Sequence, residues 1–290
     1  MSNQLMALGS FLFLFLHAFL VAQPASAAEV VQVGLIEDVL RDYKLFLQER
    51  DPVKITKFDG KHSRRDVVEV VLFMQALRHG KFAGQVQLVG LPSTGRLLEQ
   101  LRKGKVAALA NSAWAESVPD SEVLKTEPLI RDGEFVVGIY TRPGHQKLLN
   151  AKLPEHFPNF SAVTNPDWGP DVKALHNLNV GKVFEVGHWE LMTKMVSSGR
   201  VDFTLAPFRN TLDKTFTVGK EIYVPVRNYK VNLKGTRHWM TSKKYPGGME
   251  LHQALEKGRH FLDQEGILHR AYRESGFFQE DVKDWMLLNR

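Results

Sequence analysis

One pattern constrains the fold of this chain more than any other: strand, helix, glycine and buried strand occur in that order twice. In the fuller copy, Val183–Phe208, alternating apolar residues predict a strand, and a helix follows from about Trp189 to Ser197. The shorter copy is Leu97–Ala110. At a constant offset the aligned residues are Leu97 with Met192, Leu101 with Val196, Gly104 with Gly199, Lys105 with Arg200, and Val106 with Val201. Such units build parallel sheets, so the repeat predicts two similar α/β lobes with a binding cleft between them.

The N-terminus predicts export from the cytoplasm. An apolar run, Ser10–Ala22, is followed by Ala25-Ser26-Ala27, which is typical of a signal-peptide cleavage site. The run is shorter than the ~20 residues that a membrane-spanning helix needs. We therefore predict a signal peptide over residues 1–27, cut after Ala27 or Ala28, and a periplasmic mature protein. An uncleaved anchor is the alternative, since Met1–Gly9 contains no Lys or Arg.

Composition excludes several functions. The chain contains no cysteine, so disulfides, thiol catalysis and cysteine-ligated zinc are excluded. The net charge of +6 favours acidic ligands, but the basic clusters Arg102–Lys105 and Lys243–Lys244 are too short for a nucleic-acid-binding stripe. We expect a monomer that does not bind nucleic acid.

The remaining elements divide the chain into lobes. The predicted elements are strands at Val30–Ile36, Gln85–Leu91 and Phe135–Thr141, and helices at Ser63–Gly80, Glu250–Asp263 and Ile267–Leu288. We place one crossing between lobes at the end of Phe135–Thr141 and the return near Lys234–His238. Lobe 1 then contains residues 28–142 and 237–290, and lobe 2 contains residues 143–236.

Three segments carry a resemblance to a known family. They are LLEQLRKGKVAAL at Leu97–Leu109, TEPLIRDGEFVVGIYT at Thr126–Thr141 and GGMELHQALEKGRHFLDQEGILHRAY at Gly247–Tyr272. Their order along the chain resembles that of periplasmic solute-binding proteins of family 3, which include receptors of polar amino-acid ABC transporters. The resemblance implies a type 2 periplasmic-binding fold: two α/β lobes, each a mostly parallel sheet flanked by helices, joined by two crossing strands.

The same comparison argues against an α-amino acid as the ligand. The family's carboxylate-gripping arginine has no counterpart in Asp120–Leu129, and Pro207 stands where an amine-binding acid is expected. Asp167-Trp168-Gly169 replaces the family's Gly-Thr-Thr helix entry. The resemblance therefore implies another solute, or a sensing role.

Two candidate ligand-binding residues follow the repeat strands. Trp114 and Arg209 come after the carboxyl ends of these strands, where open parallel sheets bind ligands. A tryptophan there could stack on a ring, and an arginine could hold a carboxylate. The alternatives are a packing role for Trp114 and a surface charge for Arg209.

Helix N-termini supply further candidates, because their free N–H groups attract anions. Thr94 and Arg96 begin the first repeat helix, and His188 and Trp189 begin the second. Two more candidates lie elsewhere: Trp168, in a turn, as a cleft wall, and Glu37, after the first strand, as a partner for a cation. Capping, inter-element packing and solvation are the alternatives for these residues.

Enzyme motifs are missing from the sequence. The Ser in Gly90–Gly95 does not have the G-x-S-x-G spacing, and no H-E-x-x-H, P-loop or G-x-G-x-x-G occurs. We expect neither a catalytic role nor a metal or cofactor.

The sequence thus predicts a solute-binding protein that closes around a small polar or anionic ligand. It would deliver the ligand to an ABC transporter permease or report it to a membrane sensor. The alternative is a periplasmic signalling or accessory protein of the same fold, whose cleft contacts a protein partner.

Overall fold

The computed structural model describes residues 30–289. The predicted signal peptide, residues 1–27, lies outside them. The strands are β1 Val30–Ile36, β2 Gln85–Leu91, β3 Ala108–Leu109, β4 Ala113–Trp114, β5 Val123–Lys125, β6 Val136–Thr141, β7 Ser161–Thr164, β8 Lys182–Glu185, β9 Phe203–Pro207, β10 Phe216–Val218, β11 Glu221–Pro225, β12 Tyr229–Asn232, β13 Arg237–His238, β14 Met240–Ser242 and β15 Met286–Leu287. The helices are α1 Glu37–Leu47, α2 Arg65–His79, α3 Thr94–Arg102, α4 Gln146–Leu149, α5 Gly169–Asn177, α6 Trp189–Ser197, α7 Gly248–Gln264 and α8 Ile267–Glu274.

Each lobe is built on one sheet. The sheet of lobe 1 has the order β2-β1-β3-β14-β5, and that of lobe 2 has the order β10-β11-β6-β9-β7-β8, with β12 beside β6. The predicted two-lobed α/β fold is confirmed. Both sheets are mixed rather than mostly parallel, because the strands next to the crossings enter antiparallel to the strand–helix–strand units.

The sequence repeat is also a structural repeat. α3 and α6 each contain nine residues and begin at equivalent positions of the two copies. Each helix is followed by a left-handed glycine, Gly104 with φ +67° and Gly199 with φ +73°. Glycine adopts this conformation without the steric cost that a Cβ imposes, which explains why both copies stop their helix with it.

Two crossing segments run side by side between the lobes. The Leu233 N–H donates to the Phe135 carbonyl at 2.8 Å, and the Arg237 N–H donates to the Ile130 carbonyl at 3.0 Å. β6, which the sequence division assigned to lobe 1, pairs with β9 in the sheet of lobe 2. We therefore propose that the first crossing precedes β6, at residues 130–135.

The C-terminal segment makes a third passage. α8 ends at Glu274, whereas the sequence predicted a helix through Leu288; Gly276, with φ +78°, follows the helix end. The chain then reaches lobe 2, where β15 pairs with β12 and Lys214 Nζ lies 2.5 Å from Asp281 Oδ2. We propose that lobe 2 includes the segment from about residue 279 onward.

α2 is the central helix of lobe 1 and carries charged residues to the cleft. It packs against α7 through two reciprocal glycine contacts. A Cβ on Gly80 would lie 1.9 Å from the Ala254 carbonyl oxygen, and one on Gly258 would lie 1.8 Å from that of Ala76. The two backbones therefore touch, and this contact fixes the position of α2.

Within residues 30–289, no helix is both long and apolar enough to cross a membrane.

Gly258→Ala tests the helix contact. Alanine favours a helix over glycine by about 1 kcal/mol, yet its Cβ would overlap the Ala76 carbonyl, and overpacking of this kind costs about 1–3 kcal/mol or more. We expect a lower thermal unfolding midpoint than wild type. Lys257→Ala, at the exposed neighbouring position, is the control and should leave the midpoint nearly unchanged. A Gly258→Ala midpoint equal to or above that of wild type would contradict the contact.

Candidate functional site

A cavity of about 200 Å³ lies between the two lobes, at the carboxyl ends of the repeat strands. Residues of both lobes line it, together with Leu233 and Arg237 of the return crossing. Its charged lining residues are Asp38, Arg64, Arg65, Asp66, Asp167, Asp171, Glu190, Arg209 and Arg237. This volume suits a small solute.

Five of the eight candidate residues from the sequence line this cavity: Thr94, Trp114, Trp168, Trp189 and Arg209. The structure brings them together from positions far apart in the chain. Their contact with a solute stays a prediction.

The other three candidates do not line the cavity. Glu37 and His188 have exposed side chains. Arg96 is exposed and pairs with Glu99 on its own helix, with Nη1 2.6 Å from Oε2. Each of these residues lies at or next to a helix start, but none belongs to the cavity lining.

Arg64 sits at the start of α2, where a positive charge is unfavourable for the helix dipole. Acidic residues surround it. Its Nη2 lies 2.9 Å from Asp38 Oδ2 and 3.1 Å from Asp42 Oδ2, and its Nη1 donates to Asp66. The guanidinium charge of Arg64 is therefore neutralised within the protein.

Arg65 and Glu69 form a buried network one turn further into α2. Arg65 Nη1 donates to Glu69 Oε1 at 2.9 Å, and Glu69 is fully buried. Glu69 also accepts the Ser112 N–H at 2.9 Å, the Ser112 hydroxyl at 2.8 Å and the Tyr272 hydroxyl at 3.1 Å. These partners satisfy a carboxylate that would be costly to bury alone.

Arg237 extends this network toward the cavity. Its Nε donates to Ser112 Oγ at 3.0 Å, and its Nη2 donates to the Ser112 carbonyl. The guanidinium carbon lies 4.7 Å from the ring centroid of Trp114 and 5.4 Å from that of Phe135. Burial, with a smaller repulsion from Arg65, lowers the pKa of Arg237 to about 9.

Arg209 is the cationic residue of the cavity from lobe 2. Its guanidinium carbon lies 5.3 Å from the Phe216 ring centroid. Burial, followed by repulsion from Arg64, lowers its pKa. Among residues 30–289, neither Arg209 nor Arg237 has a carboxylate oxygen within 4.0 Å. Within the described residues, both arginines thus face the cavity without an ion pair closer than 4.0 Å; Asp66 attracts Arg209, and Glu69 and Asp171 attract Arg237, from a longer distance.

Asp171 brings a buried acid to the same cavity from the first turn of α5, and it is only 6% exposed. Burial raises the pKa of Asp171 to about 7, against the opposing effects of Arg237, its own backbone N–H and Arg65. Near neutral pH this carboxyl is therefore partly protonated, and it can donate a hydrogen bond to a ligand.

Aromatic residues form one wall of the cavity. The ring centroids of Trp168 and Trp189 are 6.4 Å apart, and Trp189 lies 5.9 Å from Phe216. The Trp168 indole N–H donates to Thr94 Oγ1 at 3.4 Å across the lobes. This wall offers flat apolar surface close to the arginines.

The rim of the cleft is held by reciprocal contacts between the lobes. A Cβ on Gly95, in the first turn of α3, would lie 2.8 Å from Asp167 Oδ2 of lobe 2. A Cβ on Gly169, the first residue of α5, would lie 2.5 Å from Glu116 Oε1 of lobe 1. Glu116 also pairs with Lys173, with Nζ 2.5 Å from Oε2. Each lobe therefore places a carboxylate at a helix N-terminus of the other, where the helix dipole favours it.

In the part of the chain that the structure describes, no group of three or more His, Cys, Asp or Glu residues could hold a metal ion. The expectation of no metal or cofactor stays a prediction.

The fold of this chain can be compared with those of solved structures. No known family model matches the chain, and no curated protein does. The Bordetella pertussis BvgS periplasmic VFT2 domain matches with a TM-score of 0.55 at 15% identity, covering 84% of this chain and 92% of that one. The Bacillus subtilis probable amino-acid ABC transporter extracellular-binding protein ytmK matches with a TM-score of 0.55 at 16% identity, covering 88% and 100%.

The chain has the fold of type 2 periplasmic binding proteins. A third structure, the ancestral amino acid-binding protein AncCDT-1, a precursor of cyclohexadienyl dehydratase, matches with a TM-score of 0.52 at 14% identity and covers 86% of this chain and 96% of that one. Since all three identities are low, these matches establish the fold alone.

Sequence reasoning missed several charged residues of the cavity. Arg64, Arg65 and Asp66 form a charged triplet directly before an apolar helical run. Charged residues at a helix start could have been predicted to face the cleft. Arg237 lies in the predicted return crossing, but nothing local distinguishes it. Asp171 lies in the first turn of a helix, where an acidic residue is ordinary, so nothing local distinguishes it.

Asp171→Asn tests the buried acid. The folded-state pKa of Asp171 lies above its ordinary value, so its contribution to stability is present at low pH and is lost as pH rises through about 7. Asparagine does not ionise, so the variant does not lose this stability as the pH rises. We expect its free energy of unfolding, relative to wild type, to rise by on the order of 2 kcal/mol between about pH 5 and pH 8. Urea unfolding of both proteins at the two pH values measures this difference, and a pH-independent difference would contradict it.

Proposed function

We propose that this chain is a periplasmic solute-binding protein that captures a small polar or anionic solute between its lobes by hinge closure. The observation that carries the proposal is the pair Arg209 and Arg237. Both face a cavity between the lobes, and neither has a carboxylate partner among the described residues. An anionic solute would supply that partner through charge-assisted hydrogen bonds.

Hinge closure follows from the position of these groups. Arg209 and the Trp168–Trp189 wall belong to lobe 2, whereas Trp114 and Arg65 belong to lobe 1. A solute that contacts both sets binds the closed state more tightly than the open state and shifts the equilibrium toward closure. The proposal requires no covalent step.

We further propose that the predicted signal peptide directs the protein to the periplasm, where it acts as a monomer. It would deliver its solute to an ABC transporter permease or report it to a membrane sensor. The likeness to ytmK, a probable amino-acid ABC transporter extracellular-binding protein, supports the first role.

A second candidate function is a signalling or accessory role in which the cleft or its rim contacts a protein partner. The contacts at Gly95 and Gly169 favour it, together with the Lys173–Glu116 pair, because they close the rim with the protein's own residues. A domain that stays closed without a solute presents one fixed surface to a partner.

Solute binding can be measured directly. We expect native mass spectrometry of the freshly purified mature protein to detect a bound small molecule. We also expect the melting temperature to rise with at least one member of a panel of carboxylic acids, amino acids, sugars and polyamines. A ligand at 100 times its Kd stabilises the folded state by about 2.7 kcal/mol. If no bound molecule is detected and no member of the panel shifts the melting temperature, the solute-binding proposal is wrong.

The rim contacts have their own test, by small-angle X-ray scattering of ligand-free protein. In the double variant Gly95→Ala/Glu116→Gln, the new Cβ displaces Asp167 and the Lys173 ion pair is lost, so we expect a larger radius of gyration than in wild type. Gly144→Ala is the control, since a Cβ there meets nothing within 4 Å. If ligand-free wild type already has the radius of the double variant, the rim contacts do not hold the cleft closed, and the partner-binding candidate loses its support.

A further inference from the structure

We infer that the solute carries two anionic groups, as a small dicarboxylate does, with one group bound at Arg209 and the other at Arg237. This inference rests on the proposed solute-binding function and narrows its substrate class. It is carried by the positions of the cationic groups around the cavity and by the partners that each one has within the protein.

The two arginines are fixed separately. Arg209 follows β9 in lobe 2 and lies against Phe216, whereas Arg237 lies against Trp114 and Phe135 and donates twice to Ser112. Since each guanidinium has its own ring and its own segment of chain, each can hold one carboxylate. A dicarboxylate then joins lobe 2 to the return crossing and to the floor of lobe 1.

The other two arginines of the cavity need no ligand. Arg64 has three aspartates around it, and Arg65 has Glu69. Adding a ligand carboxylate at either would compete with an existing ion pair. The guanidinium groups available to a ligand carboxylate are therefore those of Arg209 and Arg237.

Asp66 pairs mainly with Arg64 and also attracts Arg209 from beyond 4.0 Å. The remaining acids of the lining do not pair with Arg209 or Arg237 in slightly acidic solution. Asp167 of lobe 2 lies on the rim, against the first turn of α3 in lobe 1. Glu190 is exposed. Asp171 is faced by Arg237 and Arg65, and burial raises its pKa to about 7. Below that pH the Asp171 carboxyl is largely neutral and can donate to a ligand oxygen.

The experiment compares three probes of similar size: succinate with two carboxylates, butyrate with one, and succinamide with none. Isothermal titration calorimetry at about pH 6, below the pKa of Asp171, measures each Kd on the wild-type mature protein. Hydrogen bonds to a charged group contribute about 1.5–3 kcal/mol. We therefore expect succinate to bind ~10–100-fold more tightly than butyrate, and succinamide more weakly than either.

Variants then locate the two groups. Arg209→Gln and Arg237→Gln should each weaken succinate binding by ~10–100-fold and remove most of its advantage over butyrate. Arg200→Gln, at an exposed arginine of lobe 2, is the matched control and should keep the wild-type preference. Circular dichroism and melting curves verify that each variant is folded; the wild-type comparison of succinate with butyrate needs no variant.

The outcomes separate this inference from the function on which it rests. Equal wild-type affinity for succinate and butyrate, or binding of neither beside binding of another solute class, overturns the dicarboxylate inference and leaves the solute-binding function standing. Binding of no solute of any class overturns both.

Discussion

The cleft depends on one fully buried carboxylate, that of Glu69. Its oxygens accept hydrogen bonds from Arg65, Ser112 and Tyr272, and Ser112 in turn accepts from Arg237. α2, the segment after β3, α8 and the return crossing therefore meet at one charge. A buried ion without these partners would cost several kcal/mol, so the elements that supply them are held in fixed positions. This network orients Arg237, which has no ion pair closer than 4.0 Å within residues 30–289.

Much of the fold was accessible from the sequence, because the repeat is local and periodic. The glycine after each repeat helix and the apolar strand beyond it gave the two-lobed architecture, and α6 has the predicted bounds. α1 was missed, since it begins directly where β1 ends and Ile36 makes no side-chain cap. The predicted end of the last helix, Leu288, was wrong, because α8 ends at Glu274. Phe277 beyond it is buried against Phe135, and helical spacing does not reveal such a contact.

The site was less accessible, because it depends on contacts that are distant along the chain. The tryptophans and Arg209 could be found from their positions after strands and at helix starts. Arg237 could not, because its significance comes from Ser112 and Trp114, which belong to another segment of the chain. The helix N-terminus at Thr94 was expected to attract a ligand anion, yet Asp167 of the opposite lobe lies against it. A sequence shows where a helix begins, but not which charged group of the folded protein lies against that N-terminus.

The third passage between the lobes has a consequence for observing the protein. β1 lies in the sheet of lobe 1, while β15 pairs with β12 in lobe 2. The two ends of the described chain therefore belong to different lobes. A hinge motion between the lobes changes the distance between these two ends. A donor fluorophore near Val30 and an acceptor near Leu288 would convert that motion into an optical signal without any label inside the cleft.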